Sequence, residues 1–398
     1  MEKTDKKLEK LKLTEIIQTI ESVRDADGWE DEQLFKEEQL ATTYGMRAML
    51  YFQKNMFEES LTEMNMAIEV YERLISGKKQ FDENGLAMVY VGKGLIYQVK
   101  GNFELSISDL NKGIKIWERL KKEGKFENEN ENMLNLAYSI IGSILNESEV
   151  TNDEDYADEA ISNFNKSVEI SEKRRNSDEQ VDENALATTY MGMGCSCDIR
   201  NKYEEANTYY DKAIEIWENL HKEVVNIDWD NFSKAYMNRG ANYYQAENYK
   251  KAIADYNKCI GIKEQLEKDG FEQGTFDMVM AYKNRSMAYE FDNNLEAAIK
   301  DNIIVLGIIK NVFSELEGLE REELHVTYYD TIYETIKFIE LITDEEDKTL
   351  LNYIIQDFLL PMRYVPKAEG AEERQNIILK QLNIKEENPQ IKNDIFDW

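Results

Sequence analysis

The feature that most constrains this chain is a short motif that returns at a nearly constant interval. The residues Leu-Ala-Thr-Thr-Tyr at 40–44 recur unchanged at 186–190. With the tyrosine as the origin of a copy, successive origins lie 46, 48, 52, 46 and 46 residues apart. The origins are Tyr44, Tyr90, Tyr138, Tyr190, Tyr236 and Tyr282, and Tyr328 starts a degenerate seventh copy. Self-similarity at such a period predicts stacked equivalent units rather than unrelated domains.

Each copy has the pattern of two helices joined by a turn. In the fifth copy, Tyr236, Gly240 and Tyr243 lie at i, i+4 and i+7, which is one face of a first helix. After the turn, Tyr256 and Cys259 line a second helix. A small residue four positions after the origin lets the two helices approach closely, because a larger side chain would overpack the contact. These small residues are Ala48, Gly94, Gly142, Gly194 and Gly240.

This spacing of small, aromatic and alanine residues resembles the tetratricopeptide repeat, a helix–turn–helix unit that stacks into a right-handed α-solenoid. The resemblance covers roughly residues 40–340. The usual unit has about 34 residues, so these copies of about 46 residues are a long variant, and they lack the proline that normally ends the second helix. The resemblance implies an all-α fold and a non-catalytic role in protein–protein interaction.

The repeat register predicts how the chain is divided. We expect an N-terminal capping helix (4–24) and a linker within 1–39, followed by six repeats over 40–323. A divergent repeat and C-terminal capping helices follow over 324–385, because terminal repeats need a polar outer face. Residues 386–398 form an acidic and aromatic tail, which is either a docking motif or a frayed terminus.

Composition disfavours catalysis and nucleic-acid binding. The 48 Lys and Arg stand against 79 Asp and Glu, a net charge of −31, whereas a phosphate-binding surface needs clustered cations. Two histidines and three cysteines leave little material for a metal or nucleophile site. No apolar run reaches about 18 residues, the length of a membrane span. We therefore expect no enzyme activity, metal or cofactor, and no nucleic-acid or membrane partner.

The cysteines favour a reducing compartment. Cys195, Cys197 and Cys259 are an odd number in a long chain, which fits a cytoplasmic protein better than a disulfide framework. Cys197 and Cys259 fall at positions that the repeat pattern buries, so we expect them to be packing residues.

Basic residues on the first helices have acidic counterparts sixteen positions later. Where the base is replaced, as at Ile141 and Met193, the acid is absent as well. Charges that come and go together predict structural ion pairs between the two helices of a copy. The pairs are Arg47 with Glu63, Lys93 with Asp109, Arg239 with Asp255, and Arg285 with Asp301.

The resemblance also implies a ligand face, because the family binds partners on the concave side formed by first helices. Projecting the first helices places many flexible thioether side chains there, which suit an adaptable groove. The alternative is that they only pack between neighbouring helices. The predicted groove residues are Met46, Met49, Phe52, Met88, Leu95, Met191, Cys195, Lys234, Met237, Asn238, Tyr244, Met280, Lys283, Asn284 and Met287.

Two cations distinguish the C-terminal half of this predicted groove. Lys234 and Lys283 have no acid sixteen positions later, so we expect them to be free for a ligand. Together with Asn238 and Asn284 they form a patch that suits an acidic peptide or a free carboxylate. The predicted function is a scaffold that binds a protein or peptide partner. The alternative is a regulatory or inhibitory subunit, or a peptide sensor, that controls a partner enzyme such as a caspase-like protease.

Overall fold

The computed structural model describes residues 30–147, 154–177, 179–223, 227–271, 274–312, 318–342, 349–359 and 371–382. All regular structure in these ranges is helical, which confirms the predicted all-α class of paired, stacked helices. The helices belong to two compact units, residues 1–202 and 203–398. The predicted capping helix over 4–24 and the tail over 386–398 lie outside the described residues.

The first unit contains three complete helix pairs and the first helix of the fourth copy. The first helices α1, α3 and α5 each contact their own second helix and also the next first helix, so that α1, α3, α5 and α7 follow one another in order. A 3₁₀ turn over Asn128–Asn130 precedes α5. The helices are α1 Glu30–Phe52, α2 Phe57–Ser76, α3 Glu83–Val99, α4 Phe103–Glu123, α5 Glu131–Glu147, α6 Glu154–Asn176 and α7 Glu183–Ile199.

The second unit begins with the second helix of the fourth copy. Two further helix pairs follow, and α13 then packs against α12, α14 and α15. A π-helical turn over Ile355–Leu359 continues α14. The helices are α8 Tyr203–Lys222, α9 Trp229–Gln245, α10 Tyr249–Lys268, α11 Thr275–Phe291, α12 Leu295–Val312, α13 Gly318–Ile342, α14 Thr349–Ile354 and α15 Ala371–Gln381.

The first helices start and stop at fixed positions of the copy. Asp82, Asp182 and Asp228, each eight residues before an origin tyrosine, accept a backbone N–H bond of the first helical turn at 2.9–3.2 Å. Such a cap satisfies one of the orphan donors of a helix start. Eleven residues after the origin, a left-handed residue ends the helix. These residues are Asn55, Gly101, Asn201, Glu247 and Asn293, with φ between 55° and 72°.

The small residue of each copy sits where the two helices of a pair touch. A Cβ added to Gly94 or Gly142 would lie 2.7 Å from the side chain of Leu110 or Phe164. At Gly240 it would lie 2.9 Å from the ring of Tyr256. Real Cβ atoms do not approach so closely, so the expected close helix contact is confirmed.

The second helices carry the largest buried side chains. Tyr71, Trp117 and Trp217 lie 27 residues after their origins and are almost completely buried. The fifth copy has Lys263 at this position, also buried, with its ammonium 3.2 Å from the Asp277 carboxylate. A buried cation of this kind requires a paired carboxylate, which Asp277 supplies. Within the described residues, no helix combines the length and apolar character needed to cross a membrane.

Candidate functional site

Arg239 and Arg285 each tie three helices together. The Arg239 guanidinium donates to both carboxylate oxygens of Asp255, at 2.7 and 2.8 Å, and to Asp211 on the preceding second helix at 2.6 Å. Arg285 repeats this geometry with Asp301 at 2.7 and 2.8 Å and with the Asn257 side-chain oxygen at 2.7 Å. The clamps therefore join both helices of one copy to the copy before it.

The remaining predicted pairs also lie side by side. Arg47 is 2.6 Å from Glu63, and Lys93 is 3.5 Å from Asp109. The structure thus brings all four predicted pairs together between the helices of one copy. The acid of each pair is buried, so these charges are largely committed within the repeat.

A second periodic contact was not predicted. The Tyr236 hydroxyl donates to Glu218, eighteen residues earlier, at 2.8 Å, and the Tyr190 hydroxyl donates to Glu172 at 3.2 Å. Tyr282 makes the same bond to Glu264. Tyr138 donates to Glu118 at 2.6 Å, and its longer interval of twenty residues reflects the longer copy. Each bond links a first helix to the end of the preceding second helix.

These tyrosines are held in their protonated form. Burial is the main cause that raises the pKa of Tyr138, Tyr236 and Tyr282, and the neighbouring glutamate adds to it. A glutamate eighteen residues before the origin is visible in the sequence, so this signal was available there. The carboxylates and hydroxyls are committed to the fold, and the site must be sought elsewhere on the first helices.

The first-helix face is defined by the positions two before, one after and five after each origin, which share one side of a helix. In the first unit all twelve are uncharged, and we call this set the neutral face. It consists of Thr42, Gly45, Met49, Met88, Val91, Leu95, Leu136, Ser139, Ser143, Thr188, Met191 and Cys195. The set contains no aromatic residue.

Three successive helices each present one exposed apolar side chain on the neutral face. Met88 on α3 is 47% exposed, Met49 on α1 is 39% and Leu136 on α5 is 38%. Leu95, Met191 and Cys195 are half-buried beside them. Met88 and Leu136 occupy the same position of their copies, two before the origin, and Met49 lies five after its own. Exposed apolar side chains on one side of neighbouring helices are a usual feature of interaction sites.

The position two after the origin does not belong to this face, although the sequence analysis placed Met46, Asn238 and Asn284 on it. A Cβ added to Gly92 would lie 2.8 Å from Met64, and at Gly192 it would lie 2.5 Å from Phe164. The position therefore turns toward the preceding second helix. Met46 is 55% exposed because, among the described residues, no second helix precedes α1.

Phe52 and Tyr244, eight residues after their origins, are packing residues as well. The Phe52 ring lies 5.8 Å from Phe57, at the start of the following second helix. Tyr244 contacts Tyr249 and Phe291, with ring centroids 5.7 Å apart in both pairs. The structure therefore shows both aromatic side chains packed against neighbouring rings of the fold.

The predicted free cations of the second unit are paired. The Lys234 ammonium lies 2.8 Å from the Asp230 carboxylate, one turn earlier on α9. Lys283 pairs with Glu334 on α13 and is only 11% exposed. Met237 packs on the core around Tyr256, and Met280 and Met287 are half-buried. The patch that suited an acidic ligand is therefore neutralised by the protein's own carboxylates.

Two of the three thiols are buried and offer little reactivity. Cys197 and Cys259 are buried, as the repeat pattern predicted, and burial raises the pKa of Cys259 to about 12. Cys195 is partly exposed on the neutral face. Over the described ranges, His, Cys, Asp and Glu side chains form no group of three that could hold a metal ion.

Comparison with known sequences confirms the repeat. The profile described as Tetratricopeptide repeat matches residues 187–219 and 233–266, which contain the Tyr190 and Tyr236 origins. These two segments are tetratricopeptide repeats. Repeats of this family generally act as non-catalytic surfaces for protein–protein interaction. A search of curated proteins gives no match.

Solved structures of helical repeat proteins are similar to this chain. The signal-transduction ATPase with a tetratricopeptide repeat sensor from Pyrococcus horikoshii aligns with a TM-score of 0.55 at 16% identity, over 88% of this chain and 44% of that one. Apo RapI aligns with a TM-score of 0.49 at 16% identity, over 85% and 99% of the two chains. BtubC from P. vanneervenii gives 0.47 at 17% identity, over 66% and 94%. At these identities the likeness concerns the fold alone.

Proposed function

We propose that the protein is a scaffold that binds a protein or peptide partner on the first-helix face of its repeats. The observation that carries this proposal is the row Met49, Met88 and Leu136, exposed on three adjacent helices of the neutral face. The chain is 32% charged, yet no charge interrupts this surface. A flexible thioether surface adapts to the shape of a partner at little cost in repacking.

The chemistry of the partner follows from what the face lacks. Lys234 and Lys283 are paired within the protein, so support for an acidic partner segment is lost. The net charge of −31 also disfavours a nucleic-acid partner. The proposal is therefore a protein or peptide with an apolar contact surface.

A regulatory role uses the same surface. The archaeal relative of similar fold is described as carrying a tetratricopeptide repeat sensor. A peptide sensor, or an inhibitory subunit of a partner enzyme, would bind through the neutral face and act by controlling that partner. The two roles differ in what the partner does once bound, so the identity of the partner decides between them.

Affinity purification with three matched baits tests the proposed function. The baits are the wild-type chain, the double variant Met49→Glu with Met88→Glu, and the control Met66→Glu. Met66 is also 39% exposed but lies on a second helix, outside the neutral face. We expect a partner that the wild type and the control retain and the double variant loses, and purified components should reproduce this difference. Equal retention by all three baits would place the binding surface elsewhere.

A further inference from the structure

We infer that the neutral face takes a cationic amphipathic helix, an inference that rests on the proposed function and specifies its partner. The face is the uncharged part of a strongly acidic unit. Residues 30–202 carry 20 Lys and Arg against 33 Asp and Glu. A partner that covers an apolar strip in such a field gains from basic residues flanking its own apolar strip.

The binding mode follows from the secondary structure of the face. Addition of a strand needs an exposed sheet edge, and the described residues of the first unit are helical. Recognition of an extended proline-rich segment needs aromatic side chains, and the neutral face has none among its twelve positions. An amphipathic helix laid on an aliphatic, methionine-bearing surface is the mode that remains.

The geometry sets the spacing of the partner's anchors. Adjacent packed helices lie about 8–10 Å apart, so Met49, Met88 and Leu136 lie in three rows, one on each of three neighbouring helices. A helix rises about 1.5 Å per residue, so a partner helix lying across the rows meets the next row about every five to seven residues. Apolar residues spaced seven apart, with further ones three or four away, meet this requirement. Three rows require about 14 residues or more of bound helix.

The net charge of the unit agrees with a cationic partner. Over residues 30–202 its 33 Asp and Glu outnumber its 20 Lys and Arg. A lysine-rich helix is therefore attracted to this unit, whereas a glutamate-rich helix is repelled.

A designed helix tests the inference directly. The probe is an acetylated 21-residue peptide of leucine and lysine, with leucines spaced three and four apart on one side. Its controls are a scrambled peptide of the same composition and a version with glutamate in place of lysine. Titration into the full-length chain, with methionine methyl groups labelled for NMR, should shift the Met49 and Met88 signals. The signals of buried Met64 and of Met66 on the second helix should stay in place.

Affinity measurements complete the test. Met49→Lys with Met88→Lys should weaken probe binding at least tenfold, while Met66→Lys changes it less than twofold. Added salt should weaken binding further, as expected for a cationic ligand of an acidic chain. Equal binding of the scrambled peptide, tighter binding of the glutamate peptide, or equal shifts at Met66 would each overturn the inference.

The two proposals fail in different ways. If the purified partner needs the neutral face but is not displaced by the designed helix, the inference is wrong and the proposed function stands. If the partner is retained by the Met49 and Met88 double variant, the proposed function itself is wrong, and the inference that rests on it falls too.

Discussion

Replacing Arg239 tests the energetic weight of the three-helix clamp. Its guanidinium makes two bonds to Asp255, which is 8% exposed, and one to Asp211, which is 57% exposed. Arg239→Met leaves the buried Asp255 carboxylate without its cation, which costs about 3 kcal/mol at the lower end of the range for buried pairs. The exposed Asp211 bond contributes less than about 1 kcal/mol and is screened by salt.

A double-mutant cycle isolates the Asp255 bond. Asp255→Leu alone leaves Arg239 partly buried and unpaired on that side, so it should also cost about 3 kcal/mol. The double variant Arg239→Met with Asp255→Leu removes both charges and should cost only about 1–2 kcal/mol. The expected coupling is therefore about 4–5 kcal/mol.

The assay must be local, because a repeat chain with two compact units need not unfold in one step. Hydrogen exchange of α9 and α10 amides in the native state, supported by urea unfolding followed by circular dichroism, gives the free energies. Arg285→Met is the matched comparison, since its third partner is the neutral Asn257 and its cost should depend less on salt. A coupling below about 0.5 kcal/mol between Arg239 and Asp255 would refute the reasoning.

Three further predictions concern packing and titration. Gly240→Val should lower the free energy of unfolding by about 1–3 kcal/mol, because the added side chain overpacks Tyr256. Gly261→Ala should raise it by about 0.5–1 kcal/mol, because the added methyl group meets nothing within 4 Å. Equal urea midpoints for the two variants would contradict this. Lys263→Trp should leave the melting temperature unchanged or raised, because an apolar side chain replaces the buried cation while the Asp277 carboxylate, 31% exposed, stays in contact with water, and a large drop would show that the pair is required. Burial raises the pKa of Tyr71 from its usual 10 to about 12; its stabilisation is complete below pH 10 and is lost as the pH rises through 12. Tyrosinate absorbance and helicity should therefore change together in that window, and ionisation without loss of helicity would contradict it.

The sequence predicted those features that both repeat and involve complementary residues. Tyrosine origins with glycine four residues later predicted the helix pairs, and bases with acids sixteen later predicted Arg239–Asp255 and its equivalents. The bond from Tyr236 to Glu218 follows the same logic at an interval of eighteen. It could have been predicted, but an aromatic residue at a core position suggests packing before hydrogen bonding.

The features that the sequence did not predict depend on contacts with a helix outside the pair. A helical projection shows which residues share a side, but it does not show which neighbour covers that side. Met46 and Asn238 lie four residues after a position of the first-helix face, about 40° round the helix, and only the placement of the preceding second helix separates them from it. Lys283 was expected to be free because its partner, Glu334, lies 51 residues later in the degenerate copy, where no periodic pattern applies.

The links between neighbouring copies also bear on how such a chain changes its length. Deleting residues 236–281 as one block would place Tyr282 directly after Ala235. Glu218 would then stand eighteen residues before Tyr282, and Arg285 would find Asp211 where Asn257 had been. In both links the two partners keep the same number of residues between them. Internal duplication or loss of a whole copy therefore leaves a junction at which these side chains still have a partner. Natural variation in this protein can therefore lengthen or shorten the second unit in steps of 46 residues without a compensating mutation.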